Sequence, residues 1–202
     1  NWIHVSYSTS LSDYNAPARF LCGVMNYNVR NFDKAVSWFE KSAPDPRFRD
    51  LSLFYQVDCQ FNLKNYDYVI SEGSKIYEGI PPERQERLSR IISESYLVRG
   101  EKQKALQYYE NASRENMTRS DYFFAGSVLY AVEDYAGAIE NFTKMSSRTD
   151  SLGQVASYHM ANSYIRLHNK VSALDAFRDA ALLDFDPRIT EDAFFNYAKL
   201  SF

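Results

Sequence analysis

The sequence predicts an all-α fold, a solenoid of about five and a half helical hairpins, and three observations lead to it. The first is composition, because the 202 residues include only 7 Gly and 6 Pro, too few for the many tight turns of a β-rich chain. The second is a short segment with the character of a turn followed by a helix, which recurs five times. The third is the interval between those segments, which stays close to 34 residues throughout.

The recurring segment begins with a polar residue and closes four residues later on a small side chain. Its five copies occupy 31–35, 65–69, 101–105, 134–138 and 169–173. The closing residues are spaced by 34, 36, 33 and 35 positions, and they are Ala35, Val69, Ala105, Ala138 and Ala173. Each copy is therefore predicted to be the turn that leads into the second helix of a hairpin.

Two further positions repeat with the same period and indicate how the paired helices pack. Four residues after the closing residue stands a large ring in four of the copies, and these rings are Phe39, Tyr109, Phe142 and Phe177. Twelve residues before the closing residue, where the two helices would cross, the residues are Gly23, Val57, Ser93, Gly126 and Ala161. Mostly small side chains at a crossing let the helix axes approach closely. Val57 and Gly73, which stands where the other copies have a ring, make the second copy the weakest match.

The pattern resembles the tetratricopeptide repeat, a helix–turn–helix unit of 34 residues. The resemblance implies a right-handed α-α superhelical solenoid whose five repeats span 16–49, 50–85, 86–118, 119–153 and 154–190. Residues 191–202 are predicted to be the first helix of a truncated sixth repeat, and residues 1–15 a linker or the remnant of a preceding helix. Prolines lie where helices are expected to stop, at Pro44, Pro46, Pro81, Pro82 and Pro187.

About the last quarter of the chain carries a second resemblance. The segment from Asp150 to Leu200 looks like the long tandem-repeat proteins of Bacteroidota-type bacterial envelopes. This resemblance implies a periplasmic or cell-envelope scaffold with further repeats in its parent chain. A cytoplasmic location is the alternative.

Charge and apolar patterning exclude two classes of partner. The chain has 23 Lys and Arg against 26 Asp and Glu, a net charge of -3, so it lacks the basic surplus of a nucleic-acid binder. No apolar run approaches the length of a membrane span. Cys22 and Cys59 have no metal-ligand spacing; a disulfide between them and two semi-buried free thiols are both compatible with the sequence, and the thiols are favoured.

The sequence offers no motif for catalysis, a metal ion or a cofactor; Cys22 or Cys59 could form a Cys–His–Asn triad only with a His that the repeat places several units away. The three histidines are not clustered with other ligand types, and the seven glycines form no phosphate-binding loop. No Ser lies in a nucleophile motif. We therefore expect neither an enzyme nor a cofactor.

The tetratricopeptide resemblance also implies where a partner would bind. In that family the first helices line a concave groove, mostly through their second, fifth, ninth and twelfth positions. Carried onto this chain, the implied groove residues include Phe20, Tyr27, Phe54, Asp58, Arg87, Arg90, Glu94, Phe123, Tyr130, Tyr158, Asn162 and Phe195. Position five is aromatic in five of six repeats, which suits apolar anchors of an extended peptide or a helix. The alternative is that these rings pack in the core, and for position twelve the core is favoured.

Three arginines at intervals of three residues give the third repeat a different character. Arg84, Arg87 and Arg90 lie along one helix face, where an anion would find guanidinium donors. The favoured alternative is that Glu83 and Glu86 pair with Arg87 and Arg90, four residues further on, and simply support the helix surface.

The leading hypothesis is a non-enzymatic scaffold that binds a segment of another protein in its concave groove. Two alternatives are a purely structural segment of a longer solenoid and a cell-envelope module that binds a glycan or a peptide. The last helix is apolar on most of its surface, which predicts self-association through Ala193, Phe194, Phe195, Tyr197, Ala198, Leu200 and Phe202.

Overall fold

The computed structural model describes residues 15–111 and 117–202. All regular elements in these ranges are helical, so the predicted all-α repeat fold is confirmed. The chain divides into two compact units between Ser113 and Arg114. We call residues 15–111 the first unit and residues 117–202 the second unit. Apart from Asn15, the predicted linker or helix remnant at 1–15 lies outside the described residues.

The first unit consists of three helical hairpins. Its helices are α1 (Asn15–Asn28), α2 (Phe32–Ser42), α3 (Arg49–Asn62), α4 (Tyr66–Ile76), α5 (Pro82–Val98) and α6 (Lys102–Glu110), with a 3₁₀ turn at Tyr77–Gly79. The second unit has two hairpins and a further helix. Its helices are α7 (Arg119–Ala131), α8 (Tyr135–Thr143), α9 (Ser151–Arg166), α10 (Lys170–Ala181) and α11 (Pro187–Ser201). Within each unit a helix packs against the helices before and after it in the chain, and first helices of successive hairpins also meet.

Two first helices begin four residues earlier than the sequence predicted. Helices α5 and α11 start at Pro82 and Pro187, whereas the third and sixth repeats were predicted to start at 86 and 191. These prolines begin helices instead of ending them. Proline suits the first helical position because its ring fixes a helical φ and no helical partner is available there for an N–H group.

All five hairpins turn in the same way. The middle residue of each three-residue turn has a positive φ of 58–76°, and these residues are Arg30, Lys64, Gly100, Glu133 and His168. In the first hairpin the Arg30 N–H donates to the Tyr27 carbonyl and the Asn31 N–H to the Asn26 carbonyl, both at 2.9 Å. This is a Schellman arrangement, which satisfies carbonyls that a helix end leaves free. Only Gly100 adopts the left-handed conformation without steric cost.

The polar residue that opens each repeated sequence segment is the N-cap of the second helix. The Asp134 carboxylate accepts a hydrogen bond from the Gly137 N–H at 3.0 Å, and the Asn169 amide oxygen accepts one from the Ser172 N–H at 3.1 Å. Such bonds satisfy N–H groups that have no partner inside the helix. One turn therefore closes the first helix and opens the second within three residues.

Small residues at the helix crossings are required by contact distances. A Cβ atom added to Gly23 would lie 2.6 Å from Cε1 of Phe39, and one added to Gly126 would lie 2.6 Å from Cε1 of Phe142. The closing residues of the repeated segments are fully buried, as expected for Ala35, Val69, Ala105, Ala138 and Ala173. In the irregular second hairpin, Ile92 of α5 comes within 3.0 Å of the Cβ position of Gly73, so a close approach of α4 and α5 occurs where other hairpins have a ring.

Both cysteines are buried thiols that form no disulfide, Cys22 in α1 and Cys59 in α3. Burial, with a smaller contribution from the charge of Asp58, raises the pKa of the Cys59 thiol to about 12. Because the thiolate is the reactive form, this cysteine is chemically inert in the folded chain.

Candidate partner-binding face

The first helices of the first unit are joined by a polar cluster of three predicted groove residues. The Tyr27 hydroxyl of α1 donates to Oδ2 of Asp58 in α3 at 2.9 Å. From α5, Arg87 donates through Nη2 to Oδ1 of Asp58 at 2.8 Å and through Nε to Oδ2 at 3.3 Å. Asn62 adds a fourth donor at 3.3 Å from Oδ1. The Asp58 side chain is only 3% exposed, and burying a polar group this deeply is costly unless hydrogen-bond donors such as these compensate it.

Two members of this cluster, Tyr27 and Arg87, have raised pKa values. Burial and the neighbouring Asp58 carboxylate raise the pKa of Tyr27, which therefore remains a hydrogen-bond donor. Burial acts to lower the pKa of Arg87, but the hydrogen bonds and charge of Asp58 outweigh it and raise the pKa, so Arg87 remains a cation. The predicted Glu83–Arg87 surface pair is therefore corrected: among the described residues, Arg87 pairs with Asp58 of the neighbouring first helix.

A pocket of about 270 Å³ opens beside the cluster. It is lined by Tyr27, Phe54, Tyr55, Asp58, Glu83, Arg84 and Arg87. The guanidinium carbon of Arg84 lies 5.1 Å from the ring centroids of both Phe54 and Tyr55, within the range of a cation–π interaction. No carboxylate among the described residues forms an ion pair with Arg84.

Further along α5 lie two more predicted groove residues, Arg90 and Glu94, both half-buried. Burial raises the pKa of the Glu94 carboxyl, and the charges of Arg90 and Arg87 act in the opposite direction. Acidic and basic side chains are thus neighbours on this face: Arg87 binds Asp58, and the charges of Arg87 and Arg90 act on Glu94.

The predicted aromatic positions of the first unit are more buried than expected. Phe54 is only 3% exposed and packs in the core with Val57 and Leu88. Phe20 is half-buried, with its ring centroid 5.7 Å from that of Phe39. For Phe54 the core alternative applies, because the ring turns into the space between α3 and the helices beside it. Its contribution to the pocket is one wall.

In the second unit, the predicted residues Phe123, Tyr130 and Tyr158 are half-buried against one hydrophobic cluster. Asn162 is half-buried as well, and its amide donates to the Tyr158 carbonyl at 3.1 Å. The Tyr158 hydroxyl donates to Oδ2 of Asp192 in α11 at 2.5 Å. Phe195, also in α11, is 66% exposed.

Two rings that the sequence prediction omitted are central to these clusters. Tyr55 stacks on Phe39 with ring centroids 5.0 Å apart, and His159 lies 4.2 Å from the ring of Tyr130. They hold the sixth position of the second and fifth repeats, next to the aromatic fifth position. An aromatic or imidazole pair at positions five and six was the signal that could have identified them.

A larger pocket of about 490 Å³ lies in the second unit, between the α8–α9 loop and the end of α10. Its lining includes Ser146, Arg148, Ser157, Asp179 and Leu182. None of the predicted groove residues contributes to it. We therefore do not assign the partner-binding face to this pocket.

The described residues contain no group of three or more His, Cys, Asp and Glu side chains arranged to hold a metal ion. In the same part of the chain, every helix is too short or too polar to cross a membrane.

Comparison with known proteins identifies the fold through structure alone. No family model and no curated protein matches the sequence. The crystal structure of yeast Tom70 is similar to 99% of this chain, with a TM-score of 0.54 and 14% sequence identity, and the chain covers 45% of its length. The crystal structure of a thermophilic TPR protein from Thermus thermophilus is also similar, with a TM-score of 0.51 and 16% sequence identity. The match covers 92% of this chain and 98% of the Thermus protein. Both likenesses support tetratricopeptide-type helical hairpins.

Proposed function

We propose that this chain, which folds as tetratricopeptide-type helical hairpins, is a non-enzymatic scaffold that binds a segment of another protein along its first helices. The observation that carries the proposal is the Tyr27–Asp58–Arg87 cluster with the pocket beside it. A buried ion pair is seldom better for stability than well-packed apolar residues of similar volume. Its presence on this face therefore favours a role in recognition over a role in packing.

The half-buried rings of the first helices support the same function. Phe20, Phe123 and Tyr158 each present part of a ring while the rest packs on the core. Rings that are already fixed by packing lose little conformational entropy when a partner covers them. In repeat proteins of this kind, stacked repeats provide extended surfaces for such binding. A periplasmic or envelope location, implied by the second sequence resemblance, completes the proposal.

The test is selection of a phage-displayed library of random peptides on the full chain, followed by affinity measurements with two pairs of variants. Leu51→Arg and Asn162→Arg place a bulky charge at half-buried positions of the first helices. Ser71→Arg and Val171→Arg place the same side chain at exposed positions of the second helices. We expect selected peptides to lose affinity at least about tenfold with one of the first pair, and to keep it with the second pair.

Two outcomes would reject the proposal. One is a selection that enriches no peptide sequence, which would favour the purely structural alternative. The other is an equal loss of affinity with the second-helix variants, which would place binding elsewhere. A glycan array probed with the same chain tests the glycan-binding alternative directly.

We also propose self-association through α11. Phe194 and Phe195 are 51% and 66% exposed. Fully burying an exposed Phe is worth about 1.5–3 kcal/mol, so covering the exposed part of one of these rings is worth about 1–2 kcal/mol. In sedimentation equilibrium, the apparent mass of the unsubstituted chain should rise with concentration. The control Val171→Glu, which changes another exposed apolar residue, should behave in the same way. The double variant Phe194→Glu, Phe195→Glu should remain monomeric. If the unsubstituted chain is monomeric at every concentration, this proposal is wrong.

A further inference from the structure

We infer that the pocket between α3 and α5 of the first unit receives the carboxylate of an Asp or Glu side chain in the partner segment. The inference rests on the proposed function, since it names the chemistry by which the first-helix face recognises that segment. It depends on three features of the pocket: a guanidinium with no ion-pair partner among the described residues, a carboxylate whose hydrogen bonds are already made by other residues, and an aromatic wall.

The available guanidinium belongs to Arg84. It is half-buried, its orientation is set by the rings of Phe54 and Tyr55, and no ion pair within the described residues uses its donors. A guanidinium presents five N–H donors in a planar fork that matches a carboxylate, and one that is already stacked loses little freedom on binding. The carboxylate of the partner segment would therefore bind a guanidinium that is already held in place by the two rings.

The second feature is that Asp58 does not compete for Arg84. Its carboxylate already accepts bonds from Tyr27, Asn62 and two nitrogens of Arg87. The guanidinium of Arg87 has five N–H donors, of which Asp58 takes two, so donors remain for a second carboxylate. Glu83 also lines the pocket, but it is exposed to solvent and its repulsion is screened there.

The aromatic wall limits which acidic group fits best. Phe54 is buried and Tyr55 half-buried, so the methylene groups of an Asp or Glu side chain would contact ring surface while the carboxylate reached Arg84. Half-burial of Arg84 and Arg87 strengthens charge-assisted hydrogen bonds relative to those at a fully solvated surface. An acidic side chain within an extended peptide satisfies all three features.

The experiment uses peptides selected from the same phage-displayed random library on the full chain. Displayed peptides continue into the coat protein at their C-termini, so enrichment of acids reports side chains and not a terminal carboxylate. Each enriched peptide is synthesised in two forms, with Glu or Gln at the enriched acidic position. The affinities of both forms are measured for the unsubstituted chain and for the variants Arg84→Gln, Arg84→Lys and Arg99→Gln. Arg99 is the control because it lies at the end of the same helix and pairs with Asp67, outside the pocket.

We expect Asp or Glu to be enriched at one peptide position, and Glu→Gln in the peptide to reduce affinity about tenfold. Arg84→Gln should cause a similar loss and remove the difference between the Glu and Gln peptides, whereas Arg99→Gln should preserve it. Arg84→Lys retains the charge without the planar fork and should give an intermediate loss. The thermal unfolding of each variant is recorded so that misfolding is recognised, and Arg84→Lys provides a second, milder variant.

The outcomes separate this inference from the proposed function. Peptides that bind the first-helix face with no enrichment of acids, or with affinities that Arg84→Gln leaves unchanged, would overturn the inference alone. A selection that yields no peptide would overturn both.

Discussion

Each unit contains a cluster of rings built on the same plan, and the two clusters differ at one central position. In the first unit, Tyr55 stacks on Phe39 with an interplanar angle of 8°, and its centroid lies 5.1 Å from that of Tyr27. In the second unit, His159 stacks on Phe142 with an angle of 22° and lies 4.2 Å from Tyr130. In both, the Phe covers a glycine of the preceding first helix. In both clusters a flat ring fills this position, but its chemistry differs.

The exchange of Tyr for His makes the second cluster sensitive to acid. Nδ1 of His159 is buried, and within the described residues it has no hydrogen-bond partner. Burial lowers the pKa of this imidazole from 6.5 to about 4. The imidazole of His159 packs as the Tyr55 ring does, but it can also take up a proton in acid, which the Tyr55 ring cannot.

The charges around the clusters differ as well. The first unit has Asp58 and Arg87 at the ninth and second positions of successive first helices, whereas the second unit has Asn162 and Asp192 at the same positions. Arg87 binds Asp58, but Asp192 accepts a bond from Tyr158 instead. The packing positions repeat, whereas the positions of the proposed binding face vary. Under the proposed function, the two units would therefore favour different groups in a partner.

The largest expected effect is the loss of stability at low pH through His159. Its folded pKa of about 4 lies below the unfolded value of 6.5, so the unfolded chain binds the proton more tightly. The stabilisation is fully present above pH 6.5 and is lost as the pH falls towards 4. Between pH 7 and pH 4 we expect His159 to account for about 3 kcal/mol of lost stability. His159→Tyr should remove this part of the pH dependence in urea unfolding measured at both pH values.

The reciprocal substitution is the control for that experiment. Tyr55→His places an imidazole in the first cluster and should add an acid-dependent loss of stability to the first unit. If His159→Tyr leaves the difference between pH 7 and pH 4 unchanged, the imidazole is solvated and the comparison between the clusters is wrong.

A smaller effect tests whether the two clusters are equivalent in their packing. Gly23→Ala and Gly126→Ala would each place a Cβ atom 2.6 Å from a Phe ring. Overpacking costs about 1–3 kcal/mol and the gain in helix propensity returns up to about 1, so we expect each variant to lose about 1–2 kcal/mol in urea unfolding. Gly79→Ala, whose Cβ would meet nothing within 4 Å, should change stability little. Clearly unequal losses at Gly23 and Gly126 would mean that the ring clusters are not equivalent.

The sequence predicted the repeats well because their signals are local. Close helix crossings need small residues, and the buried closing residues recur with the repeat, so Gly126 and Ala138 could be placed without a structure. The starts of α5 and α11 were missed because a proline can end one helix or begin the next, and its neighbours do not decide which.

The candidate site was only partly predictable, for a different physical reason. Family positions assigned Tyr27, Asp58 and Arg87 to one face, but did not predict that these side chains bond to each other. Whether Arg87 turns towards Glu83 or Asp58 depends on the separation of α3 and α5, which the sequence does not state. Likewise, the burial of Phe54 depends on how closely the neighbouring helices approach it.

The turns within hairpins all contain three residues, whereas the described connections between hairpins, at 43–48, 77–81, 144–150 and 182–186, differ in length. A residue inserted within a turn would rotate the second helix by about 100° about its axis and remove its closing residue from the crossing. A residue inserted between hairpins is absorbed by a surface loop, where the entropic cost of extra length is small. The hairpin is thus the piece that gene duplication can copy or delete intact. The uneven spacing of 34, 36, 33 and 35 residues follows the lengths of the first helices α3, α5, α7 and α9, which have 14, 17, 13 and 16 residues, whereas the turns keep their three residues.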